Sequence, residues 1–364
     1  MSRICTFGAF DPHYPRNQIL RHGLALQGME VVVVNAPRRW PTWRKLPYLA
    51  KAFVSSREAR GCRAVVLAEF GQSLAGLAWV LARARRVPLV VDFFTSMYET
   101  VVHDRQQASE RSLKARRTYF IDKVALRLAD AVLVDTQANA DYAGQTFGLA
   151  PDKVTVVPVG AFDEWFHPQV EPAGSSHEGL LVQFFGTYIP LHGIETILRA
   201  AERLRGRGDL HFELLGRGQM YPQMRALADD LNLSNVTFSQ PVPPPDLPRR
   251  VAAADICLGI FGATDKAQRV IPNKLYQSLA MRKPVISGDT PALREAFEPG
   301  VHLSAVPVDD PAALAEAIRQ LADDAPRREA LAEAGYRRVR EAFTPEALGA
   351  RLGGVLAGLG VGRS

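Results

Sequence analysis

Short apolar runs alternate with stretches of helical period along nearly the whole chain. In the first half the runs read ICTFGAF, EVVVVNA, RAVVLAEF, PLVVDFF, AVLVDT and VTVVPVG; in the second they read LLVQFFG, HFELLGRG, VTFSQ, ICLGIFG, PVISGD and HLSAVP. Runs too short for helices, rich in β-branched residues and separated by amphipathic helical segments, are the sequence form of parallel strands buried on both faces. The periodicity stops from Pro168 to Gly179, where Pro, Gly and Ser accumulate, which places an interdomain linker there. After Asp310 the chain reads as helix to its end, with DPAALAEAIRQLADD and PRREALAEAGYRRVREAF opening on Asp-Pro or Pro. The pattern predicts an α/β protein of two Rossmann-like, doubly wound parallel-sheet domains, 1–170 and 171–345. A C-terminal helix over 346–364 is free to pack back toward the first domain. Such sheets bind ligands outside the carboxyl ends of their strands, so function is expected in strand-end loops facing a cleft.

Composition narrows the class. With 364 residues, 47% hydrophobic and 23% charged, the chain exceeds one comfortable core and is ordinary in polarity. It has no run of eighteen apolar residues, and MSRICTFGAF enters a strand without an apolar signal core, so a cytoplasmic protein is expected. Cys5, Cys62 and Cys257 are scattered through apolar runs, and the eight histidines form no HxxxH or HExxH spacing. This predicts reduced thiols, no metal site and no cofactor. The net charge of +6 suits an anionic partner. Its densest expression is APRRWPTWRKLPYLAKAF, Ala36 to Phe53, which interleaves Arg38, Arg39, Arg44, Lys45 and Lys51 with Trp40, Trp43, Tyr48 and Phe53. Two readings stand: a peripheral contact with the headgroups of an anionic membrane, or a basic loop whose aromatics pack on their own domain.

Candidate chemistry gathers at strand ends of the second half. In FFGTYIPLHGIETILRA, Gly186 permits a tight turn and His192-Gly193 leads into a helix whose first N–H groups form an anion site. LLGRGQM supplies Gly216 and Gly218 around Arg217, half of a dinucleotide fingerprint. In RVIPNKLYQSLAMRKPVISGD, a helix opens at Pro272-Asn273 with Arg269 and Lys274 flanking an exposed mouth. Cations at a helix N-terminus are unfavourable unless an anion sits opposite, so the pattern asks for a phosphate; solvated surface cations are the alternative.

These blocks carry a resemblance. VTVVPVGAFDEWFHP, FFGTYIPLHGIETIL, FELLGRG, NVTFSQPVPPPDLPRRVAAADICLGIF and PNKLYQSLAMRKPVISGD, in that order, resemble a family 4 retaining glycosyltransferase of GT-B type over residues 130 to 350. The resemblance implies a nucleotide-sugar donor held by the second domain, an acceptor held by the first, and no metal. The product would belong to glycolipid, polysaccharide or cell-envelope glycan synthesis. The family's diphosphate-binding Arg and Lys fall near Thr187 and His192, and its paired glutamates fall on Arg269 and Gln277. The charges are thus exchanged, and Arg269 and Lys274 stand in for the missing cations. The implied donor side is Gly186, Thr187, His192, Gly193, Gly216, Arg217, Asn273 and Gln277.

In the first domain FDPHYPRNQIL puts Arg16 and Asn17 where relatives often have a paired-glycine loop, and Phe94 stands where some have a histidine. Asp92 and Asp104 are expected to orient the acceptor hydroxyl, with Arg16, Glu69, Glu99 and His103 on the acceptor side. The partners expected are a nucleotide sugar, a lipid-linked or glycan acceptor and the inner face of a membrane, with no nucleic acid. A double-Rossmann epimerase and a non-catalytic nucleotide-sugar-binding scaffold remain as alternatives.

Overall fold

The computed structural model describes residues 2–105, 107–174 and 179–362. It divides into two compact units, one formed by 1–160 with 344–364 and the other by 161–343.

The sheet of the first unit contains β1 (Arg3–Gly8), β2 (Glu30–Asn35), β3 (Ala64–Leu67), β4 (Leu89–Asp92), β5 (Ala131–Val134) and β6 (Val154–Val156) in the order β2-β1-β3-β4-β5-β6. The second sheet contains β7 (Leu180–Phe185), β8 (Leu210–Leu215), β9 (Val236–Ser239), β10 (Ile256–Leu258), β11 (Val285–Gly288) and β12 (Ser304–Val306) in the order β12-β11-β10-β7-β8-β9. Every pairing is parallel. Each of the twelve apolar runs contains a strand, and the central ones are buried on both faces: Val65, Val90, Val132, Val182, Phe184 and Phe212 are all fully buried, whereas β2, β6 and β9 are largely half-buried. The strand order reverses between β1 and β3 in one sheet and between β7 and β10 in the other. The loops leaving those strands are where a doubly wound sheet opens a crevice.

The chain leaves the first unit at Gly160 rather than at 170. Residues 161–174 are tied to the second unit, since the Ala161 amide donates to the Phe343 carbonyl, Arg340 pairs with Asp163 at 2.8 Å, and the Ala173 amide donates to Arg249. Part of the expected linker, 175–178, lies outside the described residues. Thr344 returns the chain to the first unit, where the helix Pro345–Gly358 packs on the helix Pro15–Leu26. A Cβ on Gly23 would lie 2.7 Å from the Gly349 Cα, so the two backbones touch where neither residue carries a side chain. No helix of the described residues is long and apolar enough to cross a membrane.

Candidate functional site

In the second unit the loops after β7 and β10 meet at the strand-order reversal. After Phe185 the chain turns at Gly186, crosses Thr187 and Tyr188, makes one tight turn over Pro190–His192, and reverses at Gly193 with φ +61°. A Cβ on Gly193 would lie 2.5 Å from the Phe261 carbonyl carbon, so only glycine fits against the β10 loop. The two loops are also laced together: the Phe261 amide donates to the His192 carbonyl at 3.1 Å and the Gly262 amide to Leu191 at 3.3 Å. The helix Ile194–Arg203 then starts with no side-chain cap.

Into this turn reaches Lys274, from the first turn of the helix Asn273–Ala280. The sequence places Lys274 at an exposed mouth; the structure corrects this. The whole run from Lys274 to Ala280 is buried, because Tyr276 packs on Phe297 and Phe343 and the helix 325–342 covers it. The Lys274 Nζ sits 3.6 Å from the centroid of the Phe184 ring and would lie 3.0 Å from a Cβ on Gly186. It is buried and has no hydrogen-bond acceptor, and the Oδ1 of neighbouring Asn273 is likewise buried without a donor. Burial holds the Lys274 ammonium well below its ordinary titration range.

His192 is buried beside it and donates Nδ1–H to the Thr187 carbonyl. Burial first, and then the neighbouring Lys274, depress its pKa well below the usual imidazole value. His192 is therefore neutral and brings no positive charge to the turn. Arg269 is half-buried in the loop between β10 and the 273–280 helix, and Gln277 is buried one turn beyond Asn273. Gly216 supports the turn from the next strand, since a Cβ there would fall 1.9 Å from the Gly186 carbonyl oxygen. Arg217 points to the surface, stacked 3.9 Å over Tyr221 and donating to Gln240.

The reversal in the first sheet is organised differently. Arg16 is fully buried, and its Nε and Nη2 hold Asp92 at 2.8 and 2.7 Å while Nη1 donates to the Val157 carbonyl. Its guanidinium also lies 5.2 Å from the Phe94 ring. This corrects the expected acceptor side: Asp92 is occupied by an internal ion pair instead of being available to an acceptor, and Arg16 is turned inward as its partner. Beside the pair, Glu69 follows β3 in a turn whose next residue, Phe70, has φ +56°. Glu69 is buried with Oε2 unpartnered; burial and the nearby Asp92 push its pKa up to about 8, against the opposing Asn17 and Arg16. Asp135, just past β5, is pushed up to about 6 by burial despite the 2.6 Å bond from Asn139.

The remaining acceptor-side positions lie along the segment after β4. Ser96 caps its short helix and is held by Asp122, which accepts from Ser96 Oγ at 2.8 Å and from the Tyr98 amide at 2.9 Å. Glu99 and Asp104 are buried. The His103 ring is about a third exposed, 3.8 Å from the Glu110 carboxylate and edge-on to Tyr98.

With this geometry established, comparison with known proteins is direct. Residues 179–324 match the family described as "Glycosyl transferases group 1", and residues 3–160 match "Glycosyl transferase 4-like domain". The chain belongs to the family 4 glycosyltransferases. This family 4 chain is 27% identical over 276 residues to a D-inositol 3-phosphate glycosyltransferase of Catenulispora acidiphila, a match covering 69% of the chain and 62% of that relative. It thus spans less than two thirds of that relative's length. Among solved structures, a sucrose-phosphate synthase from Thermosynechococcus elongatus superposes with a TM-score of 0.74 at 18% identity, covering 99% of both chains. Anabaena HepE in complex with UDP-glucose gives 0.73 at 14% identity, covering 98% of this chain and all 100% of that one. Both carry the GT-B fold that the two parallel sheets show here.

Sequence reasoning missed four side chains at these sites: Phe184, Lys266 and Asp135 near the two reversals, and Asp122 under the segment after β4. Phe184 and Asp122 gave no signal, because they read as an ordinary strand and helix position. Asp135 had one, since AVLVDT ends as PLVVDFF does, on an aspartate at the close of a buried strand.

Proposed function

We propose that this chain transfers a glycosyl group, with retention, from a nucleotide-diphosphate-sugar to an acceptor hydroxyl, with the donor bound by the second unit and the acceptor by the first. One observation carries the reading: a buried ammonium, Lys274 Nζ, without an acceptor at the strand-order reversal of a parallel sheet, next to an uncapped helix start. Buried charges are ordinarily paired, and an orphan cation beside open helix amides is matched by an anionic ligand. Lys274 would stabilise the diphosphate as it departs, with Arg269 and the first amides of the 194–203 helix, while Asn273 and Gln277 would hydrogen-bond sugar or ribose hydroxyls. The UDP-glucose bound by HepE supports this donor class.

The test is turnover and slow hydrolysis across UDP-, GDP- and TDP-sugars, with polyol phosphates and a membrane extract as acceptors. Transfer or donor hydrolysis that falls about a hundredfold in Lys274→Met supports the reading. Binding without any turnover would favour the scaffold alternative, for which the exchange of the paired glutamates for Arg269 and Gln277 speaks. Epimerised sugar nucleotide would favour the epimerase.

We further propose that the acceptor is lipid-linked and met at an anionic membrane. The helix Thr42–Ser55 buries only Leu49 and Phe53, while Trp43 is 67% and Tyr48 44% exposed. Arg44 lies 4.8 Å over Trp43, and Trp40 packs edge-on to Tyr48. Exposed aromatics interleaved with five cations, each contributing about 1 kcal/mol near an anionic leaflet, suit a headgroup layer. Flotation with anionic vesicles at low salt is expected, lost at high salt and when Arg38, Arg39, Arg44 and Lys45 become Ser. A protein that remains soluble with those vesicles points to a soluble acceptor.

A further inference from the structure

The seat of Lys274 has one property that a plain phosphate clamp does not need: nothing in it sustains the charge before the anion arrives. The floor is the Phe184 ring, one wall is the Gly186 backbone, and the other is the His192 imidazole. The titratable group against it is His192, from the turn after β7, and Lys266, from the loop after β10, acts in turn on His192. Both would be positive if protonated, so neither adds a negative charge beside the Nζ. A ring face attracts an ammonium, but far less than water or a carboxylate would. The amine is therefore held toward its neutral form, consistent with the depressed pKa set by burial.

We infer that the second unit takes up one proton as it binds the donor, and that the proton ends on Lys274 Nζ, supplied by solvent. This rests on reading the site as that of the donor's diphosphate. Once a dianionic diphosphate lies at the turn, the charged form of Lys274 gains the partner that the protein does not provide, and its pKa rises. Affinity then falls by up to tenfold for each pH unit between the Lys274 pKa of the free protein and that of the complex, because deprotonated protein must recapture a proton to bind. His192 could take the proton only at Nε2, since Nδ1–H is held by the Thr187 carbonyl, and burial together with the neighbouring Lys274 disfavours its charged form.

The experiment is titration calorimetry of the full chain with whichever of UDP-glucose, UDP-N-acetylglucosamine, GDP-mannose or TDP-glucose binds. These diphosphate diesters exchange no proton of their own near neutral pH. Measured at one pH in buffers of different ionisation enthalpy, wild type is expected to take up close to one proton per site. Lys274→Arg, whose guanidinium stays charged, is expected to bind with none. A second measurement does not need the variants to bind: in ¹³Cε-lysine spectra, the resonance missing from Lys274→Met should titrate below the other lysines and move to higher pKa with donor. Binding without proton uptake, or a Lys274 resonance that titrates like the others, overturns the inference and leaves the site standing. Uptake that persists in Lys274→Arg sends the proton elsewhere and also overturns it. If no donor binds, the diphosphate reading itself fails.

Discussion

Replacing Lys274 by Met separates a lysine kept for a ligand from one kept for the fold. The two side chains are similar in length, and a thioether over the Phe184 ring makes a favourable contact of its own. What the substitution removes is a buried ammonium with no acceptor. Its cost to the native state is bounded, because the amine can shed its proton instead: at pH 7.5 that costs about 4 kcal/mol relative to a lysine in water. The ring face at 3.6 Å returns about 2 kcal/mol to the charged form. The variant is therefore expected to be more stable by about 1–3 kcal/mol, within the range seen when buried ions give way to apolar residues. For a unit of this size each 1 kcal/mol raises the midpoint by roughly 2–4 °C. The gain also has a sign in pH. A lysine depressed in the folded state leaves that state with fewer bound protons than the unfolded one, so its contribution is intact above about pH 10 and declines as pH falls toward the folded-state pKa. The advantage of Met should thus be largest near neutrality and vanish in alkali. The assay is calorimetric or fluorescence melting at pH 7 and 10, beside turnover. A variant that melts lower than wild type at pH 7 would make the lysine a structural element, and one with normal turnover would remove it from the donor site.

Other outcomes follow from the same geometry. Arg16→Met should destabilise the first unit by about 3–5 kcal/mol, because Asp92 is left buried and unpaired, and Arg16→Met with Asp92→Leu should recover most of the loss; urea unfolding decides. Glu69, Asp122 and Asp135 have raised folded-state pKa values, so their stabilising contribution is complete below about pH 4 and is lost as pH rises through about 6 for the aspartates and about 8 for Glu69. Glu69→Gln should therefore flatten the decline in stability between about pH 5 and 8 and leave the slope unchanged above about pH 9. Gly193→Ala should cost both stability and turnover, since its Cβ meets the Phe261 backbone at a φ of +61°. Chelators should leave turnover unchanged, because the charge on the donor side comes from Lys274, Arg269 and helix amides; activity restored only by magnesium or manganese would refute that assignment.

The strands were legible for one physical reason. Short runs of β-branched and aromatic residues between helical stretches have no other reading at their length, whether in a central strand such as LLVQFFG, buried from Leu181 to Phe185, or at the edge in EVVVVNA, where Val33 is exposed. Glycines at strand ends were legible as turns, and Gly186 and Gly193 do turn there. Burial of charge was not. Arg16 and Lys274 sit in polar local sequence, PRNQ and PNKLYQ, whose pattern favours exposure, yet both are buried by residues far away in the chain: Arg16 by Asp92 and Val157, Lys274 by Phe184 and the helix 325–342. Local charge patterns register a helix terminus but not what later segments place over it.

The two misplaced cations also show how the two reversals differ in kind. In the first unit the buried arginine is matched within the chain, by a bidentate carboxylate and a backbone carbonyl, so its charge is balanced before anything binds. In the second unit the buried lysine faces a ring, a glycine and a neutral imidazole, and its charge is balanced by nothing the chain provides. A matched buried pair contributes to the fold and is costly to break from either side, whereas an unmatched one weakens the fold and persists only where binding compensates. On the proposed reading, a buried cation is therefore structural in the first unit and ligand-directed in the second. What distinguishes them is what each cation meets: the Asp92 carboxylate at the end of β4 in one sheet, and Gly186 after β7, with no side chain, in the other.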